Sequence, residues 1–543
     1  MRGRSYDEVV GYHERTKHHF RRFAPSLGYM DWDNQPDPFR SYEGGTPFRL
    51  PLLKKDPEVR YADLYGRDNI EVRPFVPETV AAFMELAMGL SAWKAISGSR
   101  WSLRINPSSG NLHPTESHLI LPPMDALQGG VFHYNPFHHS LERRAVVSGE
   151  LWGSVVHHFG NEGFLVALTS IFWREAWKYG ERGFRYCNHD LGHALACLSL
   201  SANLQGWKVK ILNALSDDEI ERTLGFHQVR WEEGEEEQPE VLCFVCGSQV
   251  EDVPRGLPPE IVSRFSGLPF TGSPNVLSEQ RVPWEAISQV AARTRKPATP
   301  ERRYHYEDQG ASLEPAATPH VNMAADIIRR RRSAVSFTGS GFLTREQFFA
   351  ILQRTLPRNN RPPFDVELIS PSIHLLLFVH SVRGLDQGLY FFLRDENCME
   401  EIKSASSSAF AWRRVHNDLP LFFLREGNFR SMAARVSCDQ DIAGDSIFSL
   451  GMIARFRETI KEAPYTYRHL FWESGMIGQI LYLEAEAHGV RGTGIGCFYD
   501  DPVHEVMGFR DNSFQSLYHF TIGEPVEDHR LATYPPYSHL ENR

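Results

Sequence analysis

Residues 173–226, WREAWKYGERGFRYCNHDLGHALACLSLSANLQGWKVKILNALSDDEIERTLGF, return without a gap at 456–509 as FRETIKEAPYTYRHLFWESGMIGQILYLEAEAHGVRGTGIGCFYDDPVHEVMGF. Thirteen of the 54 aligned positions are identical, where unrelated segments share about three. Among them are Arg174/Arg457, Glu175/Glu458, Lys178/Lys461, Gly192/Gly475, Gly206/Gly489, Asp217/Asp500 and Gly225/Gly508. One structural unit is therefore used twice, and the fold follows from what one copy encodes.

In the first copy Leu191, Ala194, Leu195, Leu198 and Ala202 recur at helical spacing, and Gly206, like Gly489 in the second, stands where a helix C-terminus is capped. A short helix opens at Ser216-Asp217-Asp218-Glu219, whose acids suit a positive helix N-terminus, and ends at Gly225. A strand follows in each copy, Val241 to Val245 before Gly247 and Leu517 to Ile522 before Gly523. Upstream, Gly130 to Tyr134 and Gly388 to Phe392 read as corresponding strands, and Ser117 to Leu121 as another. Residues 253–320 are proline-rich and polar with no sustained period, which predicts a linker between an α+β domain at 1–252 and another at 321–543. The acidic run Glu232 to Glu237 reads as a solvated surface insertion.

Two domains also suit the length: 543 residues exceed what one hydrophobic core organises. Hydrophobic residues at 41% and charged residues at 23% describe a globular chain, too apolar for disorder and too polar for a membrane bundle. The net charge of −10 opposes binding to nucleic acid. Seven scattered cysteines, Cys187, Cys197, Cys243, Cys246, Cys398, Cys438 and Cys497, fit a reducing compartment rather than a secreted disulfide framework. The first residues contain no apolar signal region, and the longest nearly apolar stretch, Gly163 to Trp173, is half of a bilayer span. The expected location is the cytoplasm, with no membrane partner.

Five short patterns carry possible chemistry. His189-Asp190-Leu191-Gly192-His193 places two histidines one helical turn apart, but no Glu base or third ligand accompanies them, so helix histidines are expected and no metal site. Cys243 and Cys246 have CxxC spacing in a strand, where their side chains point to opposite faces as buried core residues. Gly492-Thr493-Gly494-Ile495-Gly496 follows a helix and meets Cys497 where a dinucleotide fingerprint needs glycine. It is not a Rossmann loop, yet its backbone amides are open to close approach by a flat ring. Arg329-Arg330-Arg331-Arg332-Ser333 reads either as a solvated basic face or as an anion pocket of guanidinium forks and a hydroxyl. Pro107-Ser108-Ser109-Gly110-Asn111 reads either as a plain turn or as a loop whose hydroxyls and amides meet a polar ring edge.

Together these patterns resemble a tandem protein of the nitroreductase superfamily, nearest its SagB-type, azoline-dehydrogenase-like branch. The resemblance rests on Tyr12 to His18, Asp31-Trp32, Pro38 to Tyr42, Arg104 to Glu116, Gly130 to Tyr134 and Lys178 to Arg185 in the first half. In the second half it rests on Arg331 to Ser333 with Phe337, Gly494 to Gly496 and Ile522 to Pro525. It implies two α+β units, each with a central mixed or antiparallel sheet flanked by helices, that pair as an intramolecular pseudo-dimer in a monomeric chain, and it implies bound FMN. It further implies that one unit supplies an Arg-x-Ser phosphate grip and a glycine-rich flavin contact, and that its partner supplies the Pro-Ser-Ser-x-Asn loop.

The two halves of this chain have lost complementary parts. The first keeps Pro107, Ser108, Ser109 and Asn111 but has Lys210-Ile211-Leu212-Asn213 at the glycine-rich position. The second keeps Arg331, Arg332, Ser333, Gly494 and Gly496 but has Leu368 to Ser372 in place of the serine loop. One composite FMN site and one decayed site are expected. The second basic residue of the phosphate grip is replaced by Val335, so Arg332 or Arg530 is the candidate for the missing charge. Lys178 and Tyr179 match a pair that the resemblance implies is catalytic. The expected activity is FMN-dependent hydride transfer through flavin N5 on a peptide-borne or small-molecule substrate, with NAD(P)H or oxygen as redox partner. The alternative is a catalytically idle, flavin-free scaffold in a peptide-modifying assembly.

Overall fold

The computed structural model describes residues 2–45, 47–67, 70–306 and 323–540. The chain divides into two compact units whose segments interleave. The first-half unit contains Ser26–Tyr304, Arg361–Leu368 and Arg530–Arg543; the second-half unit contains Met1–Pro25, His305–Asn360 and Ile369–His529.

The first-half unit carries a seven-stranded sheet in the order Pro47–Arg49, Ser140–Val146, Gly130–Asn135, Thr115–Leu121, Gly163–Ser170, Gln238–Gly247, Trp207–Ile211. The second-half unit carries another in the order Arg413–Arg414, Leu421–Glu426, Gly388–Phe392, Ile373–Val379, Phe448–Arg455, Phe514–Gly523, Arg491–Ile495. All neighbours in both sheets are antiparallel, which selects one of the two expected sheet types. The sequence repeat is reproduced as a repeated topology. Its long helix spans Gly183–Leu204 in one copy and Thr466–Ala487 in the other, at the same 22-residue length. Each is buried on nearly every face, so its polar side chains must find partners inside the protein. The short helix Asp217–Thr223 opens on a reciprocal capping box between Ser216 and Glu219.

The units depart from the expected boundaries at 252 and 320. The stretch read as a linker contains the helices Pro259–Ser266 and Glu285–Arg293 and belongs to the first-half unit as far as Tyr304; residues 307–320 of it lie outside the described residues. Helices of eight and nine residues are too short to leave a sustained period among prolines. The chain ends also cross over. In the second-half unit the helix Arg2–Arg15 places buried His13 against Tyr467 Oη (3.3 Å) and Gln515 Oε1 (3.2 Å), and Lys17 Nζ lies 2.9 Å from Asp501 Oδ1. In the first-half unit Ala532–Tyr534 pairs with Leu90–Ile96, and the Leu90 amide donates to Tyr537 Oη at 3.0 Å.

The acidic run is solvated only at its start, where Glu232 and Glu233 are exposed. Its residues alternate as they lead into the strand Gln238–Gly247, so Glu235 and Glu237 turn inward and are buried. Glu237 meets His118 Nε2 (2.7 Å) and accepts from Tyr42 Oη (2.7 Å) and Thr169 Oγ1 (2.8 Å). Glu235 accepts from the amides of Leu277 and Ser278 and from Arg281. Cys243 and Cys246 are buried in the same strand, where burial pushes both thiols up, Cys246 to about 11.

Candidate active site

In the first-half unit the strand Ser99–Arg104 delivers the chain into Pro107–Asn111, where Gly110 and Asn111 adopt left-handed backbone, each at φ 60°. The helix Phe172–Tyr179 ends above this loop. A Cβ on Gly110 would stand 2.8 Å from Tyr179 Oη and 3.1 Å from Lys178 Nζ, so glycine is what lets both side chains lie on the loop. The structure thus brings together two sequence-predicted groups that are about seventy residues apart. Tyr179 stacks on Tyr186 at 4.1 Å between centroids, while Lys178 is exposed.

Beneath the loop lies a feature that motif reading missed. Asp190, from the middle of the His-Asp-Leu-Gly-His pattern, accepts from the Ser109 amide (3.1 Å) and the Ser109 hydroxyl (3.1 Å). Glu175 is fully buried beside it. Burial pushes Asp190 up to about 7, against the pull of its bonds to Ser108 and Ser109. Burial and the neighbouring Asp190 hold the Glu175 carboxyl well above the usual carboxylate range, with Lys178 pulling the other way. Glu175 was visible in the sequence only as an identity between the repeats, and Asp190 only as a spacer between histidines. Among the described residues no group of three or more His, Cys, Asp or Glu gathers as a metal site.

The loop's other polar groups are turned inward. Ser108 Oγ accepts from the His113 amide (2.8 Å), Asn111 Nδ2 donates to the Ser102 carbonyl (3.0 Å), and Asn111 Oδ1 lies 2.9 Å from His113 Nε2. The second-half unit repeats one of these contacts without the motif. There Glu473, the repeat equivalent of Asp190, accepts from the Ser372 amide at 3.0 Å. Its charge is balanced by buried Arg394, which binds Glu473 and also donates to the Thr355 carbonyl at 2.7 Å.

A separate glycine-rich cluster lies within the second-half unit. Ser333 pairs with Gly492 in a short bridge, and Ser333 Oγ lies 2.8 Å from Tyr482 Oη. Tyr482 Oη also accepts from the Gly494 amide at 2.9 Å, and the buried Arg331 guanidinium stands 5.2 Å from the Tyr482 ring centroid. Tyr482 thus joins Arg331, Ser333 and Gly494, and no motif pointed to it. Glycine at 494 is required by packing, since a Cβ there would run into Tyr518 Oη. Arg332 donates to the carbonyls of Arg329 and Arg331 (2.7 Å each), closing the C-terminus of the helix Ala324–Arg330. Burial, followed by the Arg331 charge, lowers Arg332 to about 10. Gly496 is partly buried just past the strand Arg491–Ile495. Arg530 is exposed at the start of the C-terminal segment of the first-half unit.

At the repeat-equivalent place in the first-half unit, the position of Tyr482 is held by Ser199, whose hydroxyl donates to Asp365 Oδ1 at 2.9 Å. Lys210, the repeat equivalent of Thr493 in the glycine-rich run, is buried and donates to the Asp365 carbonyl and Glu367 Oε1, each at 2.6 Å. Arg67 and Arg255 bind Asp365 and Glu367 as well. The segment Arg361–Leu368 therefore occupies this corner with its own acids.

No protein-family model matches the chain. Two curated proteins are similar to parts of it. The trifolitoxin-processing protein TfxB of Rhizobium leguminosarum bv. trifolii is 32% identical over 109 residues, 18% of this chain and 29% of that protein. A protein named as a nitroreductase in Methanocaldococcus jannaschii is 28% identical over 132 residues, 22% of this chain and 62% of that protein. The chain thus spans less than two thirds of either relative. A crystal structure of a protein named as a nitroreductase from Anabaena variabilis superposes with a TM-score of 0.70 at 20% identity, covering 96% of this chain and 99% of that one. With its sheet and long helix repeated in each half, the chain has the nitroreductase fold, built twice in tandem.

Proposed function

We propose that the chain is an FMN-dependent oxidoreductase, with Arg331 and Ser333 as the phosphate grip of the second-half unit and Lys178 and Tyr179 as the proton-transfer pair of the first-half unit. When bound, FMN supplies hydride exchange at N5. The donor set suits a phosphate monoester: the guanidinium charges of Arg331 and Arg491 both press on Arg332, and Glu486 is the acid set against them. A dianion would relieve that repulsion, and the Ser333 hydroxyl would turn from Tyr482 to meet it. In this reading the first-half loop takes a different part from the one the resemblance implies. Its Ser108, Ser109 and Asn111 groups are engaged internally, so the loop serves as the platform for Lys178 and Tyr179.

The observation that carries this reading is the convergence of Lys178 Nζ and Tyr179 Oη on Gly110. An ammonium and a phenol side by side can donate and accept a proton in turn. The second repeat keeps Lys461 but has Glu462 in place of the tyrosine, in keeping with one active set per chain. The name of the Rhizobium relative, a trifolitoxin-processing protein, supports a substrate that belongs to toxin processing.

The test is the visible spectrum of the purified chain with released flavin identified and counted. About one FMN per chain is expected, lost in a variant carrying Arg331→Ala with Ser333→Ala, and retained without turnover in Lys178→Met. A colourless protein that rejects added FMN would overturn the proposal and leave the scaffold alternative in its place. Turnover of NAD(P)H with a quinone would establish the reductive direction; its absence in a flavin-loaded protein would leave oxidation of a heterocycle with oxygen as acceptor.

A further inference from the structure

Of the seven cysteines, five are buried and two, Cys438 and Cys497, are partly exposed. These two lie 59 residues apart in sequence, yet their sulfurs stand 2.8 Å apart in the second-half unit. Several contacts fix the meeting. Gln440 Nε2 donates to the Ser437 carbonyl (2.7 Å) and the Cys497 carbonyl (3.1 Å), and the Tyr499 amide donates to the Val436 carbonyl at 2.8 Å. Tyr499 Oη donates to Asp439 Oδ2 at 3.0 Å. Cys438 and Asp439 are also both held in left-handed backbone, at φ 58° and 55°, a conformation that non-glycine residues adopt at a cost. The loop between the helices Arg430–Val436 and Asp441–Gly444 is thus bent so that Cys438 faces Cys497, just beyond the strand Arg491–Ile495.

We infer that Cys438 and Cys497 form a reversible dithiol–disulfide centre. A low-molecular-weight disulfide is the oxidant. The thiolate of one cysteine attacks it, forming a mixed disulfide and releasing one small thiol. The second protein thiolate then displaces the other small thiol, so that the protein dithiol is oxidised to one disulfide, the small disulfide is reduced to two thiols, and the two protein protons pass to them. Closure ties the 437–440 loop to the segment that follows the glycine-rich strand, and excess small thiol reverses it. The other five thiols are withheld from this exchange by burial.

The full chain is equilibrated in buffers of stepped oxidised-to-reduced glutathione ratio, trapped with a maleimide under native conditions, and mapped by mass spectrometry without reduction. The expected result is two labelled thiols per chain at the reducing end and none at the oxidising end, with one link between the Cys438 and Cys497 peptides that disappears on return to reducing buffer. In Cys438→Ser the link is lost and Cys497 carries a single glutathione, whereas Cys398→Ser leaves the link intact. Full labelling of both thiols in every buffer, a link to any other cysteine, or a 438–497 link that excess reduced glutathione does not open would overturn the inference. None of these readouts depends on bound flavin, so the outcome is separate from that of the proposed activity.

Discussion

Replacing Asp190 by Asn tests the buried acid pair beneath the Pro107–Asn111 loop. Asp190 rises from 3.8 to about 7 in the folded protein because it is buried. An acid with a raised folded pKa binds more protons folded than unfolded, so the folded state is favoured at low pH and loses stability as the pH climbs through that interval. The full rise corresponds to about 4 kcal/mol, of which about 3 kcal/mol falls between pH 5 and 8.5. Asparagine keeps a carbonyl oxygen for the Ser109 amide but does not titrate. The wild-type unit should therefore lose about 3 kcal/mol more than Asp190→Asn across that window, and at ~2 °C per kcal/mol the gap in melting temperature should change by roughly 6 °C. Scanning calorimetry of both proteins at stepped pH reads this directly, because carboxylates common to both cancel in the difference. Parallel melting curves across the whole range would refute the argument, since they would mean that Asp190 ionises in the fold as it does in the unfolded chain. Glu175 is the exception among the shared carboxylates: burial raises it in both proteins, but the Asp190 charge raises it further only in the wild type, which adds to the effect.

Two further substitutions probe the close contacts. Gly110→Ala puts a Cβ against Tyr179 Oη on left-handed backbone and should cost about 1–2 kcal/mol; adding Tyr179→Phe should recover part of the loss, and an equal loss in both backgrounds would disprove the contact. Arg394→Met strands Glu473 in the core and should cost about 3–5 kcal/mol. That loss should shrink as the pH falls and Glu473 takes up a proton, and should largely vanish in Arg394→Met with Glu473→Gln, both read from thermal melts.

The sequence by itself determined the repeated unit. Thirteen identities set the offset, and periodicity, capping serines and terminal glycines placed the long helix and the strands around it, because each of these signals is local in the chain. It also put the serine loop ahead of the strand Ser117 to Leu121, and resemblance singled out Lys178 and Tyr179. Only the tertiary structure decided that these two meet at Gly110, that Asp190 and Glu175 lie beneath them, and that Tyr482 links Arg331, Ser333 and Gly494. The same is true of the exchanged chain ends, the inward turn of Glu235 and Glu237, and the meeting of Cys438 with Cys497. The reason is physical. Local propensity fixes backbone geometry within a few residues, whereas the partner of a buried polar side chain is set by burial, which requires whatever donor or acceptor the fold brings near, however distant in sequence.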